Sequence, residues 1–370
     1  NKDLERRHQL IRTHSIQRVD GQLLSRYRFK HILIQRFLYS SLNKVERVHL
    51  HEQVGLALEE LFISNETAAS GTFVAPQLAR HFTEAKIKDK AIQYLMLAGE
   101  RALQLSAYQE SFVHLNKGLE LVKSLPDGSE RLEAELALQF SLSIVLKGLK
   151  SNASPETERA LIRARELCLQ LDKKNELCTV LGELVIVYFV RAEYEKAQVF
   201  SEETLRLVQQ VGDPILISLA HWQLGFVNFG WGNFITSRRH LGEVIKHYRP
   251  EEHHQQFVSL RGSDAGVSAL AFEACCLWIL GYPDQAHELG QETLALSQKL
   301  GHPFSRVDTL YFAGCMLNSL YQDADTIKAC AEELEQLSEE KVTGWQGSGT
   351  IFIGEALSLQ GQFKEAIECI

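Results

Sequence analysis

The sequence predicts an all-α chain, an array of helix pairs behind a short N-terminal segment of mixed structure. Three observations carry this. A short motif that opens a second helix returns at EYEKA (193–197), NFITS (233–237), YPDQA (282–286), QDADT (322–326) and QFKEA (362–366), in steps of 40, 49, 40 and 40 residues. Its closing residues, Ala197, Ser237, Ala286, Thr326 and Ala366, are small. A second marker in the preceding helix keeps the same phase at Val185, Gly225, Ala274, Gly314 and Gly354. The connectors Gly212-Asp213-Pro214 and Gly301-His302-Pro303 lie 89 residues apart, the span of one 40-residue and one 49-residue step. Self-similarity at such a period is the mark of stacked supersecondary units.

Composition bounds the reading. Of 370 residues, 45% are hydrophobic and 23% charged, which excludes a disordered chain. No apolar run is long enough to span a bilayer, and the opening NKDLERRHQL has no apolar core to serve as a signal peptide. The chain begins with Asn and stops at AIECI inside a helical pattern, so it reads as a piece of a longer protein. Net charge is −8, but residues 1–50 hold 11 Lys/Arg against 4 Asp/Glu, a basic head on an acidic body. The seven cysteines form no C-x-x-C pair and sit among Leu, Ala and Val, as small buried thiols of a reducing cytosol would.

Taken in order, LIRTHSIQR (10–18) and LLSRYRF (23–29) read as strands around the turn signal Asp20-Gly21. HILIQRFLYSSL (31–42) is an amphipathic helix. Asn43 with Glu46 three residues on caps the next helix, which runs to Phe62. A hairpin followed by helices suggests the end of a winged-helix domain over 1–62, and 63–75 reads as a linker. The array occupies 76–370. Its first part runs through AIQYLMLAGERAL (91–103), AYQES (107–111) and HLNKGLELV (114–122), and the pair at 130–171 is degenerate. The 49-residue step marks an insertion of about nine residues near 249–263, RPEEHHQQFVSLRGS. In the connectors, Gly212 ends one helix, Asp213 caps the next and Pro214 fits its first turn. All seven prolines are expected near helix ends.

The paired helices with small–small–aromatic spacing resemble tetratricopeptide repeats. Their 40-residue period resembles the arrays of maltose-activator-type regulators. YRFKHILIQRFLYSSL (27–42) looks like the junction of STAND-class signalling ATPases, where nucleotide-binding module and winged helix meet the repeats. Residues 76–127 and LRGSDAGVSALAFEACCLWILGYPDQA (260–286) resemble the same family, in the branch whose members carry nucleotide-cyclase, protein-kinase or DNA-binding effectors. The resemblance implies a tetratricopeptide-like α-solenoid, cytoplasmic location and signal transduction. The chain has no G-x-x-x-x-G-K-[ST], so ATP and Mg are expected only in an upstream domain, with no cofactor in this fragment.

No nucleophile elbow, H-E-x-x-H or dinucleotide-binding glycine pattern occurs, so the fragment is expected not to be an enzyme. His247, His253 and His254 lie beside Glu251 and Glu252, but no fixed ligand spacing supports zinc, and a solvated loop is the plainer reading. The basic residues Arg6, Arg7, Arg12, Arg18, Arg26, Arg28 and Lys30 offer an alternative function: a transcriptional regulator whose winged-helix segment contacts DNA. Against it, the hairpin must also pack on a core, and the family's winged helices mostly serve as hinges.

In tetratricopeptide arrays the first helix of each pair lines the concave face. In the register above, Trp222, Phe226 and Phe229 form one stripe at i, i+4, i+7. Its equivalents are Gly182, Ile186 and Phe189, then Ala271, Cys275 and Trp278, then Tyr311, Cys315 and Asn318. The groove is therefore expected to be lined by Ile186, Phe189, Trp222, Phe226, Phe229, Trp278 and Tyr311. The function expected is a non-catalytic sensor or scaffold arm, taking a protein, peptide or small-molecule ligand and relaying it to the upstream ATPase. The competing reading is that these helices simply bury both faces.

Overall fold

A computed structural model describes residues 10–19, 22–63, 68–342 and 345–369. The chain divides into two units, Asn1–Lys173 and Lys174–Ile370, a division within the expected array rather than at the expected linker.

In the first unit, β1 (Ile11–Val19) pairs antiparallel with β2 (Gln22–Phe29), Ile11 facing Phe29, with an irregularity between Thr13 and Ser15. The Asp20-Gly21 turn lies outside the described residues. Helix α1 (Ile32–Ser41) is capped by His31, whose ring accepts the Leu33 N–H. Helix α2 (Lys44–Ile63) opens with the reciprocal box read from the sequence. The Asn43 side chain accepts the Val45 and Glu46 N–H groups, and the Glu46 carboxylate accepts the Asn43 N–H at 2.8 Å.

The expected linker 63–75 is helical from Ala68 on, because helix α3 (Ala68–Glu84) already contributes Val74 and Ala75 to a core with Leu78, Ala79 and Phe82. Pro76 lies inside α3, against the expectation that every proline marks a helix end. It forfeits one backbone bond there, and the burial around it offsets that loss. Helices α4 (Lys88–Gln104), α5 (Tyr108–Val122), α6 (Ser129–Leu149) and α7 (Pro155–Gln170) follow, each packed on its predecessor. Leu115, Leu138, Leu142 and Val145 fill the space between them.

The second unit holds the regular repeats. Its pairs are α8 (Lys174–Val190) with α9 (Tyr194–Val211), α10 (Pro214–Trp231) with α11 (Phe234–His247), and α13 (Ala265–Ile279) with α14 (Pro283–Leu300). The next first helix runs through α15 (Pro303–Thr309), a π-helical stretch (Leu310–Met316) and α16 (Leu317–Tyr321), and packs on α17 (Ala324–Glu340). Helices α18 (Ser348–Leu359) and α19 (Phe363–Cys369) complete it. The insertion read as a solvated loop is instead helix α12 (Pro250–Arg261), pinned by the buried side chains of His254 and Phe257.

Both units repeat one joint. Ser111 donates to the Gly99 carbonyl at 2.7 Å, and Ser237 donates to the Gly225 carbonyl at 2.7 Å. A Cβ on Gly99 would meet Leu115 at 2.7 Å, one on Gly225 would meet Leu241 at 2.5 Å, and one on Gly314 would meet Cys330 at 2.9 Å. Gly99, Gly225 and Gly314 are thus points of close packing against the next helix. The turns between paired helices share a left-handed residue: Ser106, Ala192, Gly232, Gly281, Gln322 and Gly361. The next N–H reaches five residues back, as from Glu193 to the Tyr188 carbonyl at 2.9 Å and from Asn233 to Asn228 at 2.8 Å, closing each first helix. The fold is an all-α, tetratricopeptide-like solenoid of helix pairs with one two-stranded hairpin. Among the described residues no helix is long and apolar enough to cross a membrane.

Candidate functional site

The seven residues expected to line a groove all belong to the second unit, and all are half-buried. Helix α8 presents Ile186 and Phe189, and α10 presents Trp222, Phe226 and Phe229 along one stripe, as 3.6-residue periodicity requires. Their rings meet in a file. Phe189 lies 4.1 Å from Phe226, which stacks on Trp222 at 5.4 Å. Gly230 makes room for Phe189, since a Cβ there would stand 2.4 Å from its ring. Phe229 meets Phe272 edge-on at 4.9 Å, and Phe272 meets Phe312 at 4.2 Å. Phe312 touches Tyr311 at 4.9 Å, and Tyr311 reaches Phe352 at 5.2 Å and Trp345 at 5.1 Å. Each such pair adds about 0.5–1.5 kcal/mol beyond its burial.

Two parts of the expectation do not match this geometry. The stripe is not continuously open: in α13 the equivalents Ala271 and Cys275 are fully buried, as is Phe272. That helix is enclosed by α10, α11, the π stretch and α15, so its middle has no free face. Trp278 also stands outside the file, packing on Tyr321 at 6.2 Å. Conversely, Phe272, Phe312 and Phe352 were missed. They sit two residues before the markers, one position off the stripe, yet their own 40-residue spacing was a legible signal.

Polar groups gather beside Trp222 under α12. The Trp222 indole N–H donates to Ser268 at 3.1 Å, and the Arg261 guanidinium stands 3.5 Å from the centre of the Trp222 ring. Asp264 caps α13 through the Gly266 and Val267 N–H groups, while its second oxygen accepts from Tyr248 at 2.6 Å and pairs with His254 at 2.7 Å. His254 is thereby committed, His253 accepts the Arg249 N–H, and His247 is exposed, so the three imidazoles do not converge. Among the described residues no cluster of three metal-ligating side chains exists. Burial pushes the Asp308 carboxyl upward, against the Arg261 charge and a hydrogen bond from Ser268.

A separate cleft of about 540 Å³ is lined by Ile235, Arg238, Glu243, Glu273 and Tyr282. Burial raises Glu273, and its 2.6 Å bond from Arg238 opposes the shift. All seven cysteines are free thiols. Burial pushes Cys276 up to about 12, leaving it unreactive at neutral pH.

No known protein-family profile matches the chain. An uncharacterized protein of Rhizobium meliloti (strain 1021) is 19% identical over 297 residues, covering 79% of this chain and 28% of that protein. The chain thus spans just over a quarter of that relative's length. Among solved structures, the apo form of RapI matches with a TM-score of 0.57 at 12% identity, over 75% of this chain and 94% of that one. The apo form of the quorum sensor NprR from B. thuringiensis matches with a TM-score of 0.55 at 11% identity, over 91% and 89%. A signal transduction ATPase with a tetratricopeptide repeat sensor from Pyrococcus horikoshii overlaps 94% of this chain and 54% of its own at 14% identity, with a TM-score of only 0.45. The first two likenesses establish a shared helical-repeat fold.

Proposed function

We propose that the chain is a non-catalytic sensor or scaffold arm of a multidomain STAND-type regulator, which binds a protein, peptide or small apolar ligand along the aromatic file of its second unit. The observation that carries this reading is the run of partly exposed rings Phe189, Trp222, Phe226 and Phe229 on successive first helices. Apolar area left open to water on a folded surface is what a ligand would cover. NprR, which shares the fold, is itself a quorum sensor. The STAND placement, the upstream ATPase and the winged-helix assignment of 1–62 rest on the resemblance of residues 27–42, 76–127 and 260–286, and the maltose-activator likeness on the 40-residue period.

Because each repeat touches mainly its neighbours, a ligand bridging two first helices can change their mutual angle. Such a relay requires different affinity for two arrangements, and tight binding alone shifts nothing. The DNA-binding alternative rests on the basic charge of residues 1–50 alone.

A hexapeptide array probed with the purified chain tests the proposal. Selective binding is expected, with Phe226→Ala weakening it at least about tenfold while the melting temperature falls no more than in a non-groove control, Leu184→Ala. Loss of binding only in step with loss of folding, or no selective binding at all, would overturn it.

A further inference from the structure

We propose that the face of Trp222 and the carboxylate of Asp308 form a cation subsite of the aromatic file, occupied in this structure by the chain's own Arg261, which accepts a guanidinium or ammonium side chain of a peptide ligand. The inference rests on the groove reading above and specifies its chemistry.

Asp308 is only 5% exposed, and its Oδ2 atom has no hydrogen-bond partner. A buried carboxylate oxygen left bare is costly, so its position calls for a cation. Arg261 supplies the charge but not the bond. Its Nη2 stands 4.0 Å from Oδ2, beyond hydrogen-bond reach, and its Nη1 turns instead to the Ser263 hydroxyl. The guanidinium stands over Trp222, the ring that attracts cations most strongly. Ser268 links the two walls, accepting the Trp222 indole N–H and bonding the Asp308 carboxylate. Ring and carboxylate are therefore held in place independently of Arg261.

Arg261 is the last residue of α12, the inserted helix, and Gly262 follows in a left-handed conformation. The cation is thus delivered by a short helix that other repeats lack, and ends on a flexible joint. Both walls attract positive charge and repel negative charge. A basic side chain arriving along the file would satisfy Oδ2 directly, which Arg261 does not. It would rest on Trp222, whose ring also stacks on Phe226 in the file, where apolar neighbours in the ligand find their rings.

Two measurements separate this inference from the groove reading. In Arg261→Ala, Nα-acetyl-arginine amide should raise the melting temperature saturably. The citrulline analogue should not, and neither should the arginine probe on Arg261→Ala/Asp308→Asn. Where that double variant fails to fold, Arg261→Ala/Trp222→Leu takes its place. On the hexapeptide array, wild type should select Arg- or Lys-containing peptides, and Asp308→Asn should weaken those by about tenfold while sparing neutral ones. Absence of rescue, or equal rescue by citrulline, overturns the cation subsite. Peptide binding without a basic preference also overturns it while leaving the groove intact. Rescue without any peptide binding sinks the groove reading and keeps the subsite.

Discussion

Replacing Gly225 by Ala tests the helix-pair register at a single atom. Alanine in a helix interior normally gains about 1 kcal/mol over glycine. Here the added methyl would lie 2.5 Å from Leu241 Cδ2 and 2.7 Å from its Cγ, where a comfortable carbon contact needs about 3.5–4.0 Å. Leu241 is fully buried against Val244, Ala269, Phe272 and Cys276, so it has little room to retreat. Overpacking of this kind costs about 1–3 kcal/mol. Gly242, directly after Leu241 in α11, would put a Cβ where nothing lies within 4 Å, and serves as the internal control. Gly242→Ala should stabilise by about 0.5–1 kcal/mol, and Gly225→Ala should fall below it by about 1–3 kcal/mol. Both residues lie in the second unit, so urea titrations followed at 222 nm compare them within one cooperative region. Adding Leu241→Ala to Gly225→Ala should cost less than the two single changes summed, because the new methyl refills part of the hole. If Gly225→Ala is as stable as Gly242→Ala, the marker glycines are not close-contact positions and the register reasoning fails.

Other expectations follow from local geometry. Ala192, left-handed at φ 57°, should accept glycine with a gain of about 0.5–1 kcal/mol in thermal unfolding; a loss would show that its methyl packs usefully. His221 and His240 face each other through Nδ1 atoms 3.0 Å apart, and burial pushes His240 down to about 4. Burial lowers His221, His51 and His81 too. At these imidazoles the unfolded chain binds more protons than the folded one between about pH 6.5 and 4, while the carboxyls of Glu100, Glu273 and Asp308, all raised by burial, act in the opposite sense. The histidine contribution to stability should fall as pH drops through that window, and His240→Gln should make the urea midpoint fall less steeply there than in wild type. Thiol labelling at pH 8 should leave Cys275 and Cys276 unmodified in the folded chain, since burial raises both; rapid labelling would show that α13 opens.

Much of this architecture was legible because the repeat leaves small residues at fixed intervals. Gly225 and Ser237 form a real joint, and Gly212, Asp213 and Pro214 end, cap and open helices as their chemistry dictates. In the first unit the motif AYQES (107–111) carried the pattern as far as Ser111, but its partner Gly99 had no marker phase to identify it, because the repeats there are less regular. Pro76 and α12 were misread for a shared reason: local propensity was allowed to decide what burial decides. Val74, Ala75, His254 and Phe257 pull those segments into helices that their sequences alone do not announce. At the candidate site, periodicity gave the stripe on α8 and α10. It failed on α13, whose enclosure depends on four neighbouring elements far apart in sequence. The placement of Arg261 on Trp222 depends on how an insertion folds back, which no spacing rule conveys.

The π-helical stretch accommodates a difference in length between this repeat and the others. From marker to left-handed turn residue, the count is seven in Gly99–Ser106, Val185–Ala192, Gly225–Gly232, Ala274–Gly281 and Gly354–Gly361, but eight in Gly314–Gln322. One surplus residue in an ordinary helix would rotate everything after it by about 100° and throw the following turn out of phase. The widened turn at Leu310–Met316 absorbs that surplus instead. Asn318 completes the accommodation, donating to the Ala313 and Gly314 carbonyls at 3.2 and 2.7 Å. This helix should therefore tolerate the loss of one residue, at Met316 for example, by reverting to regular winding. The same deletion in α10, which has no slack, should disrupt the turn at Gly232. The surplus residue of this repeat is thus taken up inside a helix, where the turn that follows keeps its place.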